Sequence, residues 1–149
     1  MTAETWTIPD PYHQPEFYAD IPVKRLLAWV VDCIVILGVV LLALPFTAFT
    51  GIFFFPFLFL VLGFLYRWMT LASGSATWGM RLMAVEMRDG YGRKFDGATA
   101  FLHTLGYTVS LAFPFLQFVS IVMMLMGAKS QGLTDNVLGT VAINRRAAY

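Results

Sequence analysis

Between Leu26 and Tyr66 the chain carries a single charged side chain, Asp32. One membrane helix takes about 20 apolar residues, and this run is about twice as long, so it predicts two spans. Pro45, Thr47, Thr50, Gly51 and Pro56 interrupt its middle, and these are turn residues. The pattern places one helix at about residues 25–45 and a second at about 50–68, joined by a very short loop. A third apolar run covers 98–127 and is divided by Pro114. As one helix it would measure roughly 45 Å, too long for one crossing and short for two. Two short or tilted helices kinked at Pro114 are expected, against the alternative of one tilted span. The first of them, 98–113, carries His103, Thr104, Tyr107, Thr108 and Ser110, which suits a partly interfacial position.

Between the membrane segments, 73–97 reads as a small polar module. Leu82 to Arg88 has the length of a short strand, with Asp89, Gly90 and Gly92 as turn residues. Thr140 to Asn144 reads as a second strand. The two could pair only if both lie on one side of the membrane. Ser73, Gly74, Ser75, Thr77 and Gly79 match neither a P-loop nor a dinucleotide fingerprint, and read as a linker with helix-capping side chains. Residues 1–20 hold Glu4, Asp10, Glu16 and Asp20 among three prolines and no lysine or arginine. That stretch predicts an irregular aqueous tail rather than a cleaved signal peptide, followed by one membrane domain over 21–146.

Composition agrees with the pattern. Charged residues make up 13% of the chain and hydrophobic ones 58%, whereas a soluble domain carries about 25% charged residues. The formal net charge of +1 argues against nucleic acid as a partner. The lone cysteine, Cys33, lies in an apolar run and reads as a small buried hydrophobe. Lysines and arginines fall into three groups: Lys24 and Arg25; Arg67, Arg81, Arg88, Arg93 and Lys94; Lys129, Arg145 and Arg146. The loop between the first two spans has none. The positive-inside rule then puts all three groups, and both termini, in the cytoplasm. Trp29, Tyr66 and Trp68 lie toward the outer ends of the hairpin, where amphipathic rings favour the headgroup layer, and Arg67 can snorkel there.

Asp32 is the residue that demands an explanation. It follows Arg25 by seven positions, almost two helical turns, so both share a face about 10 Å apart along the axis. An ionised carboxylate at that depth costs several kcal/mol unless paired. It must face the protein interior, and it is either a functional site or a polar clamp between helices. His103 is a second titratable group at membrane depth, more commonly a packed residue than a ligand.

Ile21-Pro-Val-Lys-Arg-Leu-Leu-Ala-Trp-Val-Val-Asp32 resembles the opening of the RDD family of bacterial membrane proteins, named for one arginine and two aspartates. Ser75-Ala-Thr-Trp-Gly-Met-Arg-Leu-Met-Ala-Val-Glu-Met-Arg-Asp-Gly90 is similar to that family's segment after its second span, usually Thr-x-Gly-Lys-Arg, an apolar strand and an Asp-Gly turn. Gln131-Gly-Leu-Thr-Asp-Asn-Val-Leu-Gly-Thr140 resembles its closing motif. The resemblance implies that Arg25, Asp32 and Asp135 are the naming residues. Met80 stands where lysine is common, Asn136 where arginine often follows the aspartate, and His103 in a region that often holds arginine. These departures thin the basic face and weaken any anion-binding role for it.

The expected fold is an all-α membrane protein, a helical hairpin plus a kinked third segment, with a small cytoplasmic strand pair. Two functions are weighed. One is a non-catalytic membrane module that assembles, anchors or regulates partners, with Arg25, Asp32 and Asp135 as a polar cluster and His103 and Arg81 as secondary members. The other is a component of a cation/proton transporter, which the resemblance also implies, with Asp32 titrating. The first is preferred. The sequence displays no nucleophile–base pair, metal-ligand spacing or phosphate loop, so no enzyme, metal or cofactor is expected. Expected partners are the lipid bilayer and other membrane proteins or further copies of the chain.

Overall fold

A computed structural model describes residues 8–145; Glu4 of the tail and Arg146 of the last basic group lie outside them. Helix α1, Ile21–Ala43, and helix α2, Phe55–Gly74, form the hairpin. Each begins a few residues away from where the hydropathy pattern placed it. Pro22 and Pro56 stand in the first turn of their helices, where an amide proton has no partner to lose. The connection is longer than a tight loop, because Leu44–Thr47 and Thr50–Ile52 each close a turn of 3-10 helix.

Beyond Ile21 at its start, the buried positions of α1 are Ala28, Asp32, Ile36 and Val40, four apart, while Val30, Ile34, Leu37 and Leu41 face outward. An aliphatic outer stripe over an inner stripe that includes an acid suits lipid around the helix. Gly63 of α2 lets Ile36 approach, its missing Cβ lying 3.5 Å from the Ile36 side chain. With α1 and α2 both long and apolar enough to cross a bilayer, this is an all-α membrane protein with one small sheet.

After α2, Thr77 caps the short helix α3, Trp78–Leu82, accepting the Met80 amide at 3.2 Å. The expected linker at 73–79 is therefore split: Ser73 and Gly74 finish α2, and only 75–77 are loop. Strand β1 is Val85–Arg88, shorter than expected because Leu82 closes α3. It pairs antiparallel with β2, Val141–Asn144, in the register Val85 to Asn144 and Met87 to Ala142. Asp96 caps α4, Gly97–Ala112, by accepting the Thr99 amide at 2.7 Å. Helix α4 lies along α2.

Helix α5, Pro114–Met126, leaves α4 with a bend of 117°. Phe113 sits at φ −114°, ψ 98°, the extended backbone that a following proline imposes. A sixth helix, α6 (Leu133–Leu138), was not foreseen. The chain then returns to the start of α1. Lys24 Nζ donates to Asn144 Oδ1 at 2.6 Å, and Asn144 Nδ2 donates to the carbonyls of Glu16 and Ala19, both at 2.8 Å. The third apolar segment is therefore two helices bent at Pro114, and the chain beyond it ends at the base of α1.

The apolar core sits at that same end. Ile21, Leu71, Met80, Val85, Met87, Phe95 and Ala142 pack together there, with Phe17, Tyr18, Val141 and Ile143 beside them. The hairpin is thus fastened at its base.

Candidate functional site: two buried carboxylates

Asp32 and Asp135 are each 1% exposed, and each is surrounded by donors. They form two centres rather than the one polar cluster of Arg25, Asp32 and Asp135 expected once the family resemblance adds Asp135.

At the first centre, Asp32 Oδ1 accepts from Tyr66 Oη at 2.7 Å and from the Gly79 amide at 2.9 Å. Oδ2 accepts from Thr77 Oγ1 at 2.7 Å and faces Arg67 Nη1 at 3.6 Å. Arg67 is buried, and its guanidinium lies 3.8 Å from the centre of the Tyr107 ring, a favourable place for a desolvated cation. The Tyr107 hydroxyl in turn accepts from Trp29 Nε1 at 2.7 Å. Three elements meet on this carboxylate: α1 brings the acid, α2 brings Tyr66 and Arg67, and α3 brings Thr77 and Gly79. A Cβ on Gly79 would fall on the carbonyl oxygen of Ala28 and 2.8 Å from Asp32 Oδ1. Only glycine lets this amide reach the acid. The Thr-x-Gly of the sequence is therefore a receptor for Asp32, with Thr77 Oγ1 and Gly79 N–H as its two donors.

At the second centre, Asp135 Oδ2 accepts from Arg25 Nη1 at 2.5 Å and from the Gly132 amide at 3.1 Å. Oδ1 accepts from His103 Nε2 and from Thr140 Oγ1, both at 2.8 Å. A carboxylate only accepts, so the bond to His103 requires the Nε2–H form. Burial acts to raise the Asp135 carboxyl, but the Arg25 charge and the His103 hydrogen bond override it and hold the group well below the usual carboxylate range. Here α1, α4, α6 and the start of β2 converge. Arg25 Nη1 also reaches the Ser130 carbonyl at 3.4 Å.

Arg25 thus serves Asp135, and Asp32 takes Arg67 as its cation. Arg81 reaches neither acid. It turns back onto the end of α2, donating to the carbonyls of Ala76 at 3.1 Å and Thr70 at 3.4 Å. Met80 is buried in the core, and Asn136 Nδ2 donates to the Gly132 carbonyl at 2.9 Å. Two buried donors or acceptors at these centres, Arg67 Nε and His103 Nδ1, have no hydrogen-bond partner among the described residues. No group of three or more potential metal ligands occurs among those residues.

Sequence reasoning missed Arg67, Tyr66, Thr77, Gly79, Gly132 and Thr140. For Arg67 the signal was present. Asp32 and Arg67 are equidistant in sequence from Phe49 and Thr50, the middle of the turn, so an antiparallel hairpin sets them level. Tyr66→Phe removes one donor from a charged acceptor and is expected to lower stability in detergent by about 1.5 kcal/mol. A chemical denaturation midpoint measures it.

The RDD family model matches residues 21–139, a span that contains both carboxylates and all their partners except Thr140. No curated protein and no solved structure matches the chain. With the family model covering well over half of its length, the chain belongs to the RDD family.

Proposed function

We propose that this protein is a non-catalytic module of the bacterial inner membrane, with both termini cytoplasmic, that anchors, assembles or regulates partner membrane proteins or further copies of itself. The observation that carries this reading is the saturation of both acids. Asp32 and Asp135 each face four donors, and each is paired with one arginine. A carboxylate that cycles a proton or cation needs a free lone pair and a route for the ligand. These carboxylates instead tie α1 to α2 and α3, and to α4, α6 and β2. Such clamps hold the extramembrane strand pair against the hairpin base as one unit, a fixed surface for a partner. The absence of lysine and arginine from the α1–α2 connection supports a cytoplasmic placement of the base. No cofactor is required.

Asp32→Asn tests the reading. The amide keeps one acceptor oxygen but turns N–H against a donor and leaves Arg67 without its anion. Stability in detergent is expected to fall by about 2–3 kcal/mol. In proteoliposomes under an imposed pH gradient, wild type and variant are expected to give the same background flux. Flux in the wild type that vanishes in a variant which still elutes as a folded species would overturn this reading in favour of transport.

A further inference from the structure

The molecule is one-ended in its chemistry. Trp29, Tyr66, Trp68, Trp78 and Tyr107 gather at the base of the hairpin. Trp29 bonds Tyr107, Trp68 Nε1 donates to the Gly97 carbonyl at 3.1 Å, and the Tyr66 and Trp78 rings meet edge-on at 5.8 Å. Residues 33–65 contain no Trp, no Tyr and no charged side chain. The second apex behaves alike, since 109–128 is equally free of them. Aromatic anchors mark a water interface, and among the described residues those of the helices mark one only.

The α1–α2 turn has the chemistry of a segment in hydrocarbon. Phe46 is 91% and Phe53 85% exposed, and Phe49, Phe54 and Phe57 are exposed beside them. An aqueous loop would not present so many bare rings. The turn also closes on itself. Ala48, Phe49, Ile52, Phe53 and Phe54 donate their amides to Pro45, Leu44, Phe49, Thr50 and Gly51 at 3.0–3.3 Å. Its two hydroxyls turn inward, Thr47 Oγ1 to the Leu44 carbonyl at 2.8 Å and Thr50 Oγ1 to the Thr47 carbonyl at 2.6 Å. The Gly51 amide donates to Thr47 Oγ1 at 3.2 Å. Six amides and two hydroxyls that find acceptors within the segment suit a bilayer interior, where no water is available to take them.

Length agrees. From Trp29 to Ala43 the helix rises about 21 Å, and from Phe55 to Trp68 about 20 Å, against about 30 Å of hydrocarbon. The turn completes the crossing without passing beyond it. We propose that the α1–α2 turn is seated among the acyl chains of the far leaflet, so that the protein meets water from one side of the membrane only. This stands apart from the role of the carboxylates.

The test uses the purified full chain with Cys33→Ala, carrying Phe46→Cys, Phe53→Cys or, as a control at the base, Tyr91→Cys. Each is reconstituted in both orientations into vesicles of phosphatidylcholine and phosphatidylglycerol and treated with a charged, impermeant maleimide. A thiol in hydrocarbon does not ionise and does not react, so labelling at 46 and 53 is expected at least ~10-fold below position 91 until detergent is added. Bimane attached at 53 before reconstitution is expected to be quenched more by spin labels on acyl chains than by labels on headgroups. Labelling at 46 or 53 comparable to that at 91 would overturn the proposal. So would stronger headgroup quenching, or the absence of acyl-chain quenching, which would mean that protein covers the turn.

Discussion

Gly79→Ala is expected to cost about 4 kcal/mol or more. The added carbon meets the Ala28 carbonyl and Asp32 Oδ1, and backbone in two packed helices cannot yield as a side-chain end would. Either α3 withdraws from α1 or the bundle opens. In both cases Asp32 loses the Gly79 amide and, with it, the Thr77 hydroxyl that α3 presents. Overpacking accounts for about 1–3 kcal/mol and each lost bond to a buried charge for about 1.5–3. Gly38→Ala is the control, because a Cβ there meets nothing within 4 Å and alanine favours the helix by up to about 1 kcal/mol. A denaturation series in detergent should place the two variants on opposite sides of wild type. Equal midpoints would mean that the α1–α3 contact contributes little to the fold.

Arg25→Met is expected to cost about 3–5 kcal/mol at neutral pH, because it leaves Asp135 buried without its cation. Its pH dependence is more telling. In the wild type the Asp135 carboxyl is held below its ordinary value of 3.8. A depressed folded value contributes stability that is fully present above that ordinary value and is lost as pH falls through the folded one. Between pH 5 and 8 this group leaves wild-type stability flat. In the variant, burial is no longer offset by Arg25, so the folded site favours a proton on Asp135. Stability from a raised folded value is present at low pH and lost as pH rises. The variant should therefore recover part of its loss on going from pH 8 to pH 5, where wild type changes little. Unfolding midpoints at the two pH values decide it, and a variant that weakens in parallel with wild type contradicts the assignment of Arg25 to Asp135.

Much of this was legible in the residues. The hairpin, the break at Pro114 and the pairing of the two strands follow from hydropathy, from the missing proline amide and from the chain's return to its starting end. The element boundaries moved by several residues, since local capping rather than hydropathy sets them: Thr77 starts α3, and Asp96 starts α4. Helix α6 went unread because its six residues are too few to display a period. Asp32 was identified as the acid in need of a partner, but Arg25, near in sequence and on the same face, was the obvious cation. It is taken by Asp135, more than a hundred residues away.

What the sequence determined by itself is the solvent. An apolar run broken once and one acid within it admit only a membrane protein, because lipid tolerates neither unpaired charge nor open backbone. Which charge pairs with which was decided by the tertiary structure alone. Two arginines and two aspartates allow two sets of pairs, and Coulomb attraction prefers neither until distances exist. The antiparallel hairpin brings Arg67 level with Asp32. The bend at Pro114 returns α6 to the base, where Asp135 meets Arg25 and His103. Long-range packing chose the partners, and the desolvation penalty on each acid then enforces that choice.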